Sequence, residues 1–335
     1  MTAGIPSDKA WKLLNLLADG EFHSGEIMAG QLGMSRASVF NALSQAAECD
    51  VVLQRVRGKG YRLPRPWQRL DRDEVLHLLG KDAGQFDIEI IPHASSSNLL
   101  LLQRAALHPA NSGRASNGTV LAVELQTGGR GRMGRSWHSG LGTSLTFSLL
   151  WRFTGGLNAL SGLSLAVGVA QVRALSRLGA QGVGLKWPND ILAAQGKLGG
   201  VLIEAHGDML GPSAVVIGIG LNYILPAELA RRIDQPACAL EDVCAAMPTR
   251  NQLLATVLQE LASVLRQFEV AGFALLRDEW ERYHIHQNGP VRVRMADGRT
   301  LCGTACGVSD TGELRMDTSQ GVRCLNTGEV EGIPG

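Results

Sequence analysis

Ten residues at positions 128–137, GGRGRMGRSW, constrain the fold more than any other stretch of the chain. Gly128, Gly129, Gly131 and Gly134 alternate with Arg130, Arg132 and Arg135. Each glycine weakens a helix or strand by roughly 0.5–1 kcal/mol relative to alanine, so this density of glycine specifies a loop. Glycine lets backbone approach a ligand closely and adopt positive φ. Arginine supplies forked donors for carboxylate or phosphate. An ordinary surface loop is the plain alternative, but three arginines among four glycines point to a loop that closes over an anionic small molecule.

Gly129, Gly131 and Gly134 also satisfy the spacing G-x-G-x-x-G. The dinucleotide fingerprint needs a strand before it, a helix after it and an acid about 20 residues on. TVLAVEL (119–125) reads as a strand, but Gly140 and Gly142 break any helix after the loop, and no Asp or Glu lies between Glu124 and Asp190. The match is rejected on those conditions.

A chain of 335 residues predicts two or three domains. Its 45% hydrophobic and 19% charged residues are those of a globular protein. The net charge of +1 excludes a global field, so any nucleic-acid binding must come from a local patch. Cys49, Cys238, Cys244, Cys302, Cys306 and Cys324 are scattered without a C-x-x-C pair, and are expected to be free thiols in a reducing cytoplasm. Cys302 and Cys306 lack suitably spaced metal partners. LLNLLA, between Lys12 and Asp19, is too short for a signal peptide, and the apolar stretch 157–178 carries Gln171 and Arg173 and reads as a buried helix. No membrane association is expected.

Residues 8–63 predict a compact unit. DKAWKLLNLLAD forms a first helix ending at Gly20, Ser24 caps GEIMAGQL, and Ser35 caps RASVFNALSQAAEC. Two short helices joined through LGMS match a helix-turn-helix. The hairpin VVLQRVRGKGYRL then carries Arg55, Arg57, Lys59 and Arg62, as a basic wing would. Ser35, Arg36, Ser38 and Asn41 at the start of the third helix, with Arg57 and Lys59 of the wing, are the candidates to meet DNA. The competing reading is a small helical docking domain with a solvated hairpin. PRPW (64–67) reads as a stiff linker.

Residues 71–283 predict an α+β domain on a mixed or antiparallel sheet, because adjacent strands outnumber the helices between them. Expected strands are QFDIEII, TVLAVELQ, TSLTFSLLW, VGLKW, KLGGVLIEA and SAVVIGIGLNY. Expected helices are DRDEVLHLLG, SNLLLLQRAAL, 157–178, and the pair TRNQLLATVLQELASVLRQF and FALLRDEWERY. Residues 288–335 change to short alternating strands, with turns at Ala296-Asp297-Gly298 and Asp310-Thr311-Gly312, and predict a small β-barrel.

Five further pieces accompany the loop: Ser95-Ser96-Ser97-Asn98 at a helix start, Gln126 at a strand end, Lys186-Trp187-Pro188-Asn189-Asp190, Lys197-Leu198-Gly199-Gly200, and Gly218-Ile219-Gly220-Leu221-Asn222. Singly, each is a cap, a turn or a strand end. Together they supply cations, permissive backbone and one acid, which suits a carboxylic acid and a nucleoside triphosphate. No nucleophile motif is present, so the expected chemistry is positioning and charge stabilisation, as in carboxylate attack on an α-phosphate. Asp190 can hold Mg²⁺ through oxygen.

QTGGRGRMGRSW, KWPNDIL, KLGGVLIE and GIGLN, in this order, resemble the bacterial biotin–protein ligases. LLADGEFHSGE, LGMSRASV and GKGYRLP resemble the bifunctional subgroup that also represses biotin synthesis genes, and the tail resembles their SH3-like domain. The resemblance implies a winged helix-turn-helix at 8–63, a ligase domain at 71–283 and an SH3-like barrel at 288–335. It implies conversion of biotin and ATP to biotinyl-5′-adenylate, then transfer to a lysine of a biotin carboxyl carrier domain. Ser96, Ser97 and Gln126 are then expected to bond the biotin ring system, with Asn98, Gly129, Gly200, Gly218 and Gly220 around it. Arg130, Gly131 and Arg132 form the loop over biotin and phosphates, and Trp137 packs on its biotin side. Lys197 meets the biotin carboxylate. Lys186, Asn189, Asp190 and Asn222 serve ATP, with Mg²⁺ on Asp190. Lys197, Arg132 and Lys186 are the expected catalytic groups. The adenylate-bound homodimer is expected to bind operator DNA. Three departures stand out: Ser95 replaces the usual acid, Ser97 the usual threonine, and Val39-Phe40 stand where polar residues are expected, with Phe40 available to the core. Alternatives are a ligase without operator binding, a biotin sensor without transferase activity, and a ligase for a related acid such as lipoate; the ATP-type motifs disfavour the sensor, and the terminal units disfavour lipoate.

Overall fold

The computed structural model describes residues 6–49, 51–107, 116–207, 209–210, 212–295 and 297–333. Three helices open the chain: α1 (Asp8–Leu16), α2 (Gly25–Gln31) and α3 (Arg36–Glu48). Each begins on a serine whose hydroxyl accepts a backbone N–H of the first turn: Ser7 from Ala10, Ser24 from Glu26, Ser35 from Ser38. Leu13 and Leu14 of α1 and Val39, Ala42, Leu43 and Ala46 of α3 share one core. A hairpin comes next, β1 (Gln54–Val56) with β2 (Gly60–Arg62). Gly60 is obligatory: at φ 107° its absent Cβ would lie 1.9 Å from the His23 carbonyl oxygen. That approach lets Tyr61 and His23 exchange two backbone hydrogen bonds of 2.9 Å, tying the hairpin to the segment before α2.

Beyond the hairpin come α4 (Arg72–Leu79), β3 (Asp87–Ala94), α5 (Ser97–Leu107), β4 (Thr119–Gln126), the stubs β5 (Gly129–Arg130) and β6 (Ser136–Trp137), β7 (Ser144–Phe153), α6 (Leu163–Arg177), β8 (Gly184–Lys186), β9 (Asp190–Ala193), β10 (Gly196–Gly207) and β11 (Ser213–Asn222). Then α7 (Ala227–Ala230), α8 (Arg250–Ala271) and α9 (Arg277–Tyr283) lead to five short strands, β12 (Pro290–Arg294), β13 (Thr300–Val308), β14 (Leu314–Thr318), β15 (Gly321–Leu325) and β16 (Glu329–Gly332).

The central sheet is mixed, in the order β3-β4-β7-β11-β10-β9-β8. β3 and β4 are parallel, joined across α5, and every other pair is antiparallel. Strand alternation sorts the sheet residues by face. Phe147 and Leu149 of β7, with Ile217, Ile219 and Leu221 of β11, join the large core that includes α6 and α8. Leu150, Ala214 and Val216 point the other way and pack under α5 with Leu101 and Ala105. Continuing along that second face, the residues become Thr146, Ser148, Gly218 and Gly220, small or polar. GIGLN is therefore a strand whose odd positions are core and whose even positions open a space beyond the N-terminus of α5.

The C-terminal strands form an antiparallel sheet in the order β15-β14-β13-β12-β16. Val291, Val293, Ala305, Leu314 and Val330 belong to the same continuous core as the central helices. Trp187 donates its indole N–H to the Gly312 carbonyl at 2.9 Å, and Val308 N–H donates to Glu281 at 2.9 Å.

Several expectations are corrected. α1 ends at Leu16, short of Gly20. The helix expected over 157–178 is a 3₁₀ turn at Leu157–Leu160 and then α6, because Gly162 takes φ 81° with Phe273 and Gly312 packed closely against it. The second helix of the expected pair is likewise a 3₁₀ turn, Ala274–Leu276, before α9. GVRCLNTGEV divides into β15 and β16. Ala296, in the turn expected at 296–298, lies outside the described residues. In the segment 64–67, expected as a stiff linker, Pro64, Arg65 and Pro66 are exposed, whereas Trp67 is buried, stacks on Trp11 of α1 with ring centroids 5.5 Å apart, and donates to Glu124 of β4 at 3.2 Å. Phe40 is not core: Val39 beside it takes the buried position and Phe40 stays 44% exposed.

Candidate active site

A cavity of about 680 Å³ opens over the small-residue face of the sheet, a volume that suits a small ligand with its cofactor. Its inner end is built where α5 begins. Ser97 donates to Gln126 Oε1 from both its backbone N–H, at 2.9 Å, and its hydroxyl, at 3.1 Å. Ser148 Oγ lies 2.8 Å from Ser97 Oγ and 2.5 Å from Asn98 Oδ1. Asn98 donates to the Leu202 carbonyl and to Glu204, each at 3.1 Å. Ser96 and Ser97 line the cavity beside Gln126, so the expected ring-binding set is brought together.

Glycines supply the remaining room. A Cβ on Gly218 would stand 2.2 Å from Asn98 Oδ1, and one on Gly220 would stand 2.4 Å from the Trp137 indole. Trp137 thus packs on β11 at Gly220 and lines the cavity. Gly129 does not line the cavity; its missing Cβ leaves space for the Trp137 carbonyl and the Gln126 amide.

The loop between β5 and β6 is closed by Gly131 N–H donating to the Arg135 carbonyl at 2.7 Å, with Met133 and Gly134 at φ 54° and 75°. Its arginines go three ways. Arg130 meets both oxygens of Glu204 at 2.8 Å. Arg132 turns inward and donates to Asn189 Oδ1 at 3.4 Å. Burial holds its guanidinium below the ordinary arginine value, with Asp190 acting in the opposite sense. Arg135 pairs with Glu329 of β16, which also accepts from Arg294 of β12 at 2.6 Å.

At the outer end, β8 and β9 bring Lys186 opposite Asp190. Asp190 accepts from Lys197 at 2.7 Å and stands 3.7 Å from Lys186. Gly200 lies beside Lys197: a Cβ there would make only ordinary contact with its ammonium nitrogen, at 3.5 Å. Asn189 is anchored by donating to the Val201 carbonyl at 2.8 Å. Asn222 donates to the carbonyls of Lys197 and Cys238, at 3.2 and 2.9 Å, and so fastens residues 235–238 along β10. Burial pushes the Cys238 thiol up to about 11, so it stays protonated. Asn222 Oδ1 and Trp137 Nε1 are buried without a hydrogen-bond partner among the described residues, and both residues line the cavity.

Every residue expected to bind biotin or ATP, except Gly129, lines this one cavity. Sequence reasoning missed Thr146 and Ser148, polar positions on one face of an apolar strand that alternation could have flagged. It also missed Arg294, Glu329 and Glu331, which reach the cavity by tertiary packing alone, and Glu204, which pairs with Arg130. The expected DNA-facing residues lie elsewhere, on the N-terminal unit. Ser35 caps α3, Ser38 is bonded to it at 3.0 Å, and Arg36, Asn41, Arg57 and Lys59 are exposed. No group of three or more His, Cys, Asp or Glu side chains comes together as a metal cage among the described residues, and no helix among them is long and apolar enough to cross a membrane.

Residues 102–222 match the model of the biotin/lipoate A/B protein ligase family. The bifunctional ligase/repressor BirA of Escherichia coli is 34% identical over 319 residues, covering 95% of each chain. The biotin–[acetyl-CoA-carboxylase] ligase of Mycobacterium tuberculosis is 34% identical over 257 residues, 76% of this chain and 91% of that protein. Among solved structures, the biotin protein ligase of Aquifex aeolicus in complex with biotin and ATP superposes with a TM-score of 0.60 at 25% identity, covering 74% of this chain and 99% of that one. The polar inner end, the glycine floor, the arginine loop and the lysine-flanked aspartate thus sit on a shared mixed sheet, and the chain belongs to the biotin–protein ligase family.

Proposed function

We propose that this protein activates biotin with ATP and transfers it to a lysine of a biotin carboxyl carrier domain. The observation that carries this reading is the cavity itself: neutral hydrogen-bonding groups at Ser96, Ser97 and Gln126 at one end, and Arg132, Lys186 and Lys197 around a single aspartate at the other. The ring system of biotin fits the first end. Its carboxylate and the ATP phosphates fit the second, where three cations offset their mutual repulsion. A biotin carboxylate oxygen attacks the α-phosphorus, the α–β phosphoanhydride bond breaks, and pyrophosphate leaves. The carrier lysine amine then attacks the acyl carbon, loses a proton, and AMP departs. Lys197 exchanges Asp190 for substrate oxygens, and Arg132 and Lys186 hold the phosphates. Asn222 and Trp137 line the cavity where the adenylate would lie.

Asp190 offers one carboxylate, which fits Mg²⁺ carried largely by the nucleotide phosphates rather than by a protein cage. When bound, the ion would neutralise phosphate charge beside Asp190.

The chain is read as a winged helix-turn-helix over 8–63, the ligase unit over 71–283 and an SH3-like barrel over 288–335. Relatives named bifunctional ligase/repressor match 95% of the chain, whereas a relative named ligase alone matches 76%. Together with the capped α3 and the basic hairpin, this supports adenylate-dependent operator binding by a homodimer that represses biotin synthesis genes in the cytoplasm. A ligase without operator binding is the second reading, in line with the relative named ligase alone at 34% identity.

The test combines purified protein, biotin, ATP and a carrier domain. The carrier is expected to gain one biotin mass with multiple turnover, and Lys197→Gln to lower the rate by about 10²–10³. Biotin binding without carrier modification or pyrophosphate release would sink the ligase reading in favour of a sensor.

A further inference from the structure

α3 has two faces with opposite chemistry. Val39, Ala42, Leu43 and Ala46 form the buried stripe. Arg36, Ala37, Phe40, Asn41 and Gln45 form the exposed stripe, which keeps the same helical spacing. Phe40 stands in its middle, 44% exposed, and is the one large apolar side chain on that face. The ring is not loose. The Arg55 guanidinium of the hairpin lies 5.0 Å from the Phe40 centroid and 5.6 Å from that of Tyr61, so the helix and the hairpin hold it between them.

Charge selects the occupant of this face. Residues 51–63 contain Arg55, Arg57, Lys59 and Arg62 and no acid, so the surface flanking Phe40 is locally cationic in a chain of net charge +1. An anionic partner with an apolar spot at its centre is required. In the major groove of a duplex the C5-methyl of thymine is the apolar group on a base edge, and phenylalanine is among its partners. Asn41 beside Phe40 suits adenine and Arg36 suits guanine. The start of the second helix of such a pair is the part that reaches base edges.

We propose that Phe40 is a specificity-determining residue that packs on a thymine methyl in the operator, while Arg55 holds the ring in place and turns its free edge to phosphate. The inference rests on the DNA-binding reading above and deepens it, by naming a base where that reading names only a duplex.

The experiment uses the full-length protein with biotin and ATP. Bound sites are selected from a duplex pool with a randomised core, and each thymine of the enriched site is then replaced in turn by deoxyuridine, which removes only the methyl. One position per half-site is expected to weaken binding about fourfold, the effect of burying a single methyl-sized group. Phe40→Ala is expected to abolish that sensitivity, and Phe40→Leu to retain part of it. Melting temperatures report whether the variants fold. An enriched site at which no deoxyuridine matters, or at which Phe40→Ala keeps the sensitivity, overturns the assignment of Phe40 while leaving DNA binding intact. No enriched site, together with duplex binding indifferent to Arg57→Glu and Lys59→Glu, overturns the DNA-binding reading and this inference with it.

Discussion

Two clusters of charge in this molecule use the same residue types to opposite ends. In one, Arg250 of α8 is fully buried and donates to Glu124 at 2.5 Å, to the Gln68 carbonyl at 2.9 Å and to the Ser144 carbonyl at 2.9 Å. Glu124 in turn accepts from Trp67 and from Leu70 N–H. Cation and anion are matched one to one, and neither lines the cavity of the candidate site. In the other cluster, Asp190 sits between Lys197 and Lys186 with Arg132 nearby, and all four line the cavity. Cations outnumber the acid, and the imbalance faces open space. Matched charge fixes the fold, and unmatched charge facing a cavity waits for an anion.

The closed cluster breaks first. Arg250→Met leaves Glu124 buried without its cation, and is expected to lower unfolding free energy by about 3–5 kcal/mol. Denaturant melts check this; a loss below about 1 kcal/mol would mean that the pair is not closed to water.

A second buried ionisable group sharpens the contrast, because it has no ion partner. His284 lies against Trp280 with centroids 4.5 Å apart, and burial pushes its value down to about 4. The folded state therefore resists its protonation. Stability is full above the unfolded value near 6.5 and falls as the pH drops from there through about 4, by up to ~3 kcal/mol. His284→Gln is expected to flatten that slope between pH 6.5 and 4.5 in thermal melts, and an unchanged slope would remove His284 as its source.

The open cluster breaks differently. Gly220→Ala places a methyl where the Trp137 ring lies, 2.4 Å from its nearest atom, so the ring must lift. Overpacking of this kind is worth about 1–3 kcal/mol. Here it is expected as a tenfold or greater rise in the biotin KM with little change in melting temperature. A stability loss without a KM change would place Gly220 in the closed class. Smallest of all, Glu329→Gln frees Arg135 and Arg294. Its exposed pairs are worth about 1 kcal/mol or less in stability, so the expected readout is faster adenylate release rather than a shifted melt.

What the chain reveals in sequence divides along the same line. The arginine loop, KWPND and GIGLN were legible because each is local: glycine spacing, a turn and strand alternation set them within a few residues. All but Gly129 of the residues expected from them meet in one cavity. The serine caps of α2 and α3 were legible for the same reason. Arg250, Trp67 and Glu329 were not, because their roles depend on partners more than thirty positions away, and nothing local distinguishes a buried arginine from a solvated one. The division of labour among Arg130, Arg132 and Arg135 was hidden likewise, since their partners Glu204, Asn189 and Glu329 lie far along the chain from the loop. Phe40 shows the limit of a residue-type rule: its helical position, not its hydrophobicity, decides its exposure.

The most direct test is exchange of labelled pyrophosphate into ATP by the purified protein, with and without biotin. Exchange that requires biotin, saturates with it and falls by about 10²–10³ in Lys197→Gln is the predicted result. Tight biotin binding with no exchange, or exchange indifferent to Lys197, would contradict the claim that the unmatched cations of this cavity assemble the adenylate.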